Sequence, residues 1–107
     1  MKLALSPFTK IAEKKKTIES RLFDEKRQTI NVGDTLEFLL NDDLSKKITT
    51  KVKALYRYGS FKDLFGDFSP SFFGGESSVD LLEEIHRFYP PEEEEKYGVV
   101  GIKIEVV

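Results

Sequence analysis

The sequence contains no cysteine, which removes disulfides, thiol catalysis and thiolate metal sites together. Its single histidine, His86, excludes His-based catalytic triads and multi-histidine zinc sites, so no metal is expected. No apolar run approaches the ~18 residues of a membrane span. The opening MKLALSPF has too short an apolar stretch for a secretory signal, and no membrane partner is expected. A chain without cysteine fits a reducing, cytoplasmic setting. Internal repeats and low-complexity linkers are missing too, and no cofactor is expected. What is present is one domain's worth of sequence, 107 residues with 39% apolar and 34% charged, the balance of a globular domain, here assumed to be a monomer.

The formal net charge of −2 conceals an asymmetry. Residues 1–53 hold twelve Lys/Arg and eight Asp/Glu, a net +4, whereas residues 54–107 hold five and eleven, a net −6. A basic cleft on an acidic body is compatible with these halves, so a nucleic-acid partner stays open.

Periodicity gives the order of elements. Ser6-Pro7 has the form of an N-cap followed by proline at the first helical position, which predicts a short helix to about Lys14. From Lys16 the period becomes two, with Ile18, Ser20 and Leu22 on one side and Thr17, Glu19 and Arg21 on the other. Leu36, Phe38 and Leu40 alternate after a Gly33-Asp34 turn. A long strand is expected over 46–58, with Ile48, Thr50, Val52, Ala54, Tyr56 and Tyr58 on one face and Lys47, Lys51, Lys53 and Arg57 on the other. Ser60 can cap a helix carrying Phe61, Leu64, Phe65 and Phe68, and Ser77 or Ser78 opens another with Leu81, Leu82, Ile85, Phe88 and Tyr89 on its buried stripe. The segment 69–78 reads as a loop. Pro90-Pro91 ends that helix, Glu92–Glu95 fill the solvated first turn of a follow-on helix, and residues 99–106 close the chain as a strand. The expected fold class is α+β, with about four to six strands and two to four short helices.

The most informative stretch is Lys14-Lys15-Lys16-Thr17-Ile18-Glu19-Ser20-Arg21. Lys16, Glu19 and Arg21 place two cations and an acceptor within six residues at a strand entrance. Facing solvent, they are ordinary polar surface. Facing a cleft, they need partners or a ligand, because unpaired buried charge is costly.

The runs KTIESRLFDEKRQTINVGDTLEF and EEEEKYGVVGIKIEVV resemble the small ASCH (activating-signal-cointegrator homology) proteins of the PUA-like superfamily. That family's signature is Gly-x-Lys-x-x-Glu-x-Arg, which Lys16, Glu19 and Arg21 match, while Lys14 stands at the glycine position. The resemblance covers essentially the whole chain. It implies a compact PUA-like β-barrel with flanking helices, and a cleft around the motif that binds RNA or a modified nucleoside. Lys16 and Arg21 would hold a phosphate or base carbonyl, and Glu19 would accept from an exocyclic amine or position Lys16. Some relatives hydrolyse acetylated cytidine with a Lys, a Thr and a Glu, and others cut RNA. Lys16 stands at the place of that lysine, Glu19 replaces the threonine, and Glu76 is nearest to the acid. A small amidohydrolase or ribonuclease with Lys16, Glu19 and Glu76 as catalytic residues is therefore the alternative.

Other residues admit two readings each. The stripe Lys47, Lys51, Lys53 and Arg57 either tracks a phosphate backbone or is the solvated side of a strand. Of the thirteen aromatics, seven lie between Tyr56 and Phe73. Phe61, Phe65 and Phe68 have the spacing of core, whereas Phe72 and Phe73, beside Gly74-Gly75, are candidates for stacking on a base. His86 reads as packing or surface.

Overall fold

Five strands and four α-helices follow one another along residues 1–107 of the computed structural model. Their order is β1 (Lys2–Leu3), α1 (Leu5–Ala12), β2 (Ile18–Leu22), β3 (Thr35–Leu40), β4 (Asp43–Tyr58), α2 (Phe61–Asp67), α3 (Ser78–Ile85), α4 (Pro91–Tyr97) and β5 (Val99–Val106). Short 3-10 helices occupy Arg27–Thr29 and Pro70–Phe73, the second within the stretch expected to be loop. The strands form one sheet in the order β1-β3-β4-β5-β2, curled into a half-barrel, and the fold class is α+β. No helix is long and apolar enough to cross a membrane.

The sheet carries a core on each face. Leu3, Ile11, Phe38, Ile48, Val52, Val100, Ile102 and Ile104 form the first, closed by α1. Ile18, Leu22, Phe61, Leu64, Phe65, Phe73, Leu81 and Val99 form the second, covered by α2 and α3. Adjacent residues Val99 and Val100 serve different cores because successive strand side chains point to opposite faces. Close approach of α2 to the sheet requires Gly101, where a Cβ would lie 2.9 Å from the Leu64 Cδ1 atom.

Ser60 and Ser77 cap α2 and α3 as expected, accepting the N–H groups of Asp63 and Asp80 at 3.2 and 3.1 Å. The expectations for α1 and β4 need correction, and Glu94, expected in a solvated turn, is buried. Helix α1 begins at Leu5, not after Ser6, and Ala4 is its N-cap with no side-chain cap. Pro7 sits inside the first turn, where its missing N–H has no intrahelical partner to lose.

The second correction concerns β4. Val52 opposes Ile104, but Ala54 opposes Lys103, so Lys53 is the extra residue of a β-bulge. The bulge exchanges the two faces. Leu55, opposite Ile102, now points to the first core, and Tyr56 and Tyr58 pack on the second. Arg57, opposite Val100, therefore lies on the other side of the sheet from Lys47 and Lys51. The expected basic stripe does not exist as one face.

Candidate functional site

Strands β1 and β2 are the two margins of the curled sheet, and the candidate site lies at the seam between them. The chain reaches it through the end of α1. Lys14 has φ 63°, and the N–H groups of Lys14 and Lys15 return to the carbonyls of Ile11 and Lys10 at 2.9 and 2.8 Å. This is a Schellman closure with a lysine in the left-handed position, where glycine is usual and where the resembled signature has its glycine. It turns the chain so that Lys16 enters the seam. The Thr17 N–H then donates to the Phe72 carbonyl at 2.9 Å, and the Lys10 Nζ atom donates to the Gly74 carbonyl at 2.7 Å. Gly74 has φ 79°, and a Cβ there would lie 3.1 Å from Lys10 and 3.3 Å from Lys16. Both features draw the Pro70–Phe73 segment against α1.

Alternation along β2 sends Ile18 and Leu22 into the second core and Glu19 and Arg21 to the opposite face. Glu19 is only 3% exposed. Its Oε1 atom meets Lys16 Nζ at 2.6 Å, and its Oε2 atom accepts from Arg21 Nε and Nη2 at 3.1 and 2.9 Å. Arg21 Nη2 also reaches the Lys2 main-chain carbonyl at 3.3 Å, linking the two sheet margins.

Burial alone would push the Glu19 carboxyl up, but Lys16 and Arg21 outweigh it and hold the group below its ordinary value. Burial likewise opposes the charge on Arg21, and Glu19 with the nearby Tyr89 hydroxyl reverses this, raising it above the ordinary value. The triad carries one net positive charge in a nearly closed position. Such a group is held together by mutual compensation, and removing one member leaves the others uncompensated.

The triad lines a cleft of about 410 Å³. That volume falls in the ~300–1,000 Å³ range of small-ligand sites. Phe65, Phe73, Leu81, Ile85 and Tyr89 supply its apolar wall, while Lys2, Lys10 and Glu84 add charge nearer the mouth. Phe88, expected on the buried stripe of α3, lies beyond that helix's end at Ile85 and, 71% exposed, stands at the rim.

Of the residues singled out in the sequence, Lys16, Glu19 and Arg21 come together in this cleft, and Phe73 joins them. Phe72 is 47% exposed and lies outside it. Glu76 is also exposed and outside, so the nearest cleft carboxylate beyond Glu19 is Glu84. Lys51, Lys53 and Arg57 are exposed on β4 and line no part of it. Lys53 stands 3.6 Å from Glu105, and Arg57 lies over the Phe23 ring at 4.0 Å. Sequence reasoning missed Lys2, Lys10 and Glu84. Their signal is weak, because each is an ordinary surface residue until the fold brings three elements to the seam. Both Glu19 oxygens are engaged within the triad, Oε1 by Lys16 and Oε2 by Arg21. No group of three or more His, Cys, Asp or Glu side chains is placed to hold a metal ion.

No protein-family model matches the sequence, and none of the curated proteins shows significant similarity to it. Solved structures do. The crystal structure of the hypothetical protein PH0355 is 33% identical, covers both chains completely and has a TM-score of 0.82. The solution NMR structure of PF0455 from Pyrococcus furiosus is 32% identical, covers 100% of this chain and 98% of its own, and has a TM-score of 0.74.

Proposed function

We propose that this chain, which belongs to the family of PH0355 and PF0455, binds one nucleoside or nucleotide unit in the seam cleft, free or unstacked from an RNA strand. One observation carries the reading: a buried, net-positive Lys16–Glu19–Arg21 triad at the base of a cleft with an aromatic wall. Rings offer a face to a base, and the cations offer donors to its oxygens or to a phosphate. The ASCH resemblance supports the same reading, as does its PUA-like fold expectation. A monomer in the cytoplasm, working without metal or cofactor, completes the proposal.

The cleft takes one unit and is not a groove for a polymer. Lys47 and Lys53 each have a carboxylate within 4 Å, Glu37 and Glu105, and Arg57 faces away from Lys51. Binding to single-stranded RNA is therefore expected to be weak, with a shallow salt dependence of about one phosphate contact. The test is titration of nucleosides, nucleotides and a short single-stranded RNA into isotope-labelled protein, with shifts mapped by NMR. Shifts centred on β2 and the Pro70–Phe73 segment support the reading. Shifts confined to β4, or none at millimolar ligand, defeat it.

The 2.6 Å contact between Lys16 and Glu19 inside the cleft also suits a hydrolytic site. In that second reading the pair acts on an acetylated cytidine or an RNA phosphodiester, and Glu76 takes no part. Turnover of acetylated cytidine, lost in Lys16→Ala, would favour it. No turnover by the folded wild type leaves the binding reading.

A further inference from the structure

We infer that the base of the cleft favours hydrogen-bond acceptors, so that the ligand enters with two neighbouring acceptor atoms at its leading edge. The inference rests on the nucleoside reading and narrows it. Among bases it selects an edge such as O6 and N7 of a 6-oxopurine. A carboxylate offers the same chemistry from a different source.

The argument is a count of donors and acceptors. Glu19 is the acceptor of the triad, and an ionised carboxylate has only acceptor oxygens. One oxygen is taken by Lys16 and the other by two N–H groups of Arg21. The Lys16 ammonium has three N–H donors and commits one to Glu19. Arg21 commits Nε and Nη2 to Glu19 and the Lys2 carbonyl, leaving Nη1 for the Tyr89 side or for a ligand. Three of the roughly four lone-pair sites of the carboxylate are filled, donors are in surplus, and the surplus carries positive charge. Of the other cleft side chains with acceptor oxygens, Glu84 and Asn41 are exposed and stay hydrated, and the Ser20 and Tyr89 hydroxyls can turn to donate to an acceptor.

An amino edge pressed against this base would set N–H against N–H and leave both unpaired away from water, which is costly. A keto or carboxylate edge completes the shells of Lys16 and Arg21 instead. Glu19 is accordingly a positioning residue. It fixes the two cations and keeps at most one lone-pair site for a ligand.

Two pairs of matched probes test this. Inosine and adenosine differ at C6, where a keto oxygen replaces an amino group. Benzoate and benzamidine share a shape but present acceptors or donors. Each is titrated into wild-type protein with NMR detection of the Arg21 Nε–H and the β2 amides. The expected result is inosine tighter than adenosine by about ten- to a hundredfold, and benzoate bound where benzamidine is not.

Arg21→Gln frees the Oε2 atom of Glu19 and should move both preferences toward adenosine and benzamidine. Lys16→Gln, which frees Oε1, replaces that variant should it not fold. Equal or inverted preference in the wild type overturns the inference while leaving nucleoside binding in place. Benzoate binding without either nucleoside overturns the nucleoside reading and supports an acceptor-favouring base. Failure of all four probes overturns both. Unchanged preference in the folded variants would also overturn it.

Discussion

The Glu94 carboxylate accepts the main-chain N–H of Phe61 at 2.8 Å, tying α4 to the first residue of α2 across 33 positions of sequence. Its other oxygen lies 2.8 Å from His86 Nε2. Glu94 is buried, so one residue of an acidic run acts as an internal connector, satisfying an N–H that the helix itself leaves free. Because Phe61 stacks on both Phe65 and Tyr89, this bond also sets the aromatic packing behind the cleft.

Replacing Glu94 by alanine should destabilise the fold by about 1–3 kcal/mol, the cost of a buried donor left without a partner. Glu94→Gln keeps an acceptor oxygen and should cost less. Urea unfolding of the two variants measures the difference. Equal losses would mean that charge, not the Phe61 bond, is what matters. Changes at the neighbouring Glu92 and Glu95, both exposed, should stay within about 0.5 kcal/mol.

Acid should weaken the seam. Glu19 is held below its ordinary value of 4.5 in the folded chain, so its contribution is complete above that value and is lost as pH falls through the lower, folded one. Glu19→Gln should cost about 3 kcal/mol at neutral pH, since Lys16 and Arg21 lose their counter-charge. The variant should also show a flatter stability profile below pH 4.5 than the wild type. Urea midpoints measured across that range decide it; parallel profiles would refute the assignment.

Lys14 pays a conformational cost that glycine would not. With φ 63° in the turn that closes α1, Lys14→Gly should raise stability by about 1 kcal/mol. A rise of several degrees in melting temperature is expected for a domain of this size. A fall would show that the exposed lysine side chain contributes more than the strain costs.

Charge reversal at Lys51 and Lys53 should leave nucleoside affinity within about twofold, because neither lines the cleft and a surface charge acts weakly at a distance. Arg21→Gln should alter it strongly. The reverse ranking would move the binding site to β4.

The alternation of Ile18, Leu22, Glu19 and Arg21 was legible because β2 has apolar residues on one side and charges on the other. The Ser60 and Ser77 caps were legible for a similar reason, a short oxygen-bearing side chain just ahead of an apolar helical face. The bulge at Lys53 was not. Both faces of β4 are buried somewhere along its length, so the strand offers apolar residues to either register and gives no sign of where the faces exchange. Strand β1 has two residues, too few for any period, and pairs in parallel with β3 far along the chain. Glu94 was hidden among three identical neighbours. Only the approach of α2 distinguishes it, and that approach depends on Gly101, far from Phe61 in sequence.

A sheet with two open margins invites another chain to add a strand. Here β1 offers only two residues, and the free side of β2 carries an engaged charged triad whose arginine already reaches the Lys2 carbonyl. Charges pointing inward from a margin and very short margin strands are both obstacles to stacking copies side by side. Variants that empty the cleft of Arg21 should therefore scatter more light at high concentration while still folded. Ligand recognition and resistance to self-association thus draw on the same side chain, so weakening one exposes the other.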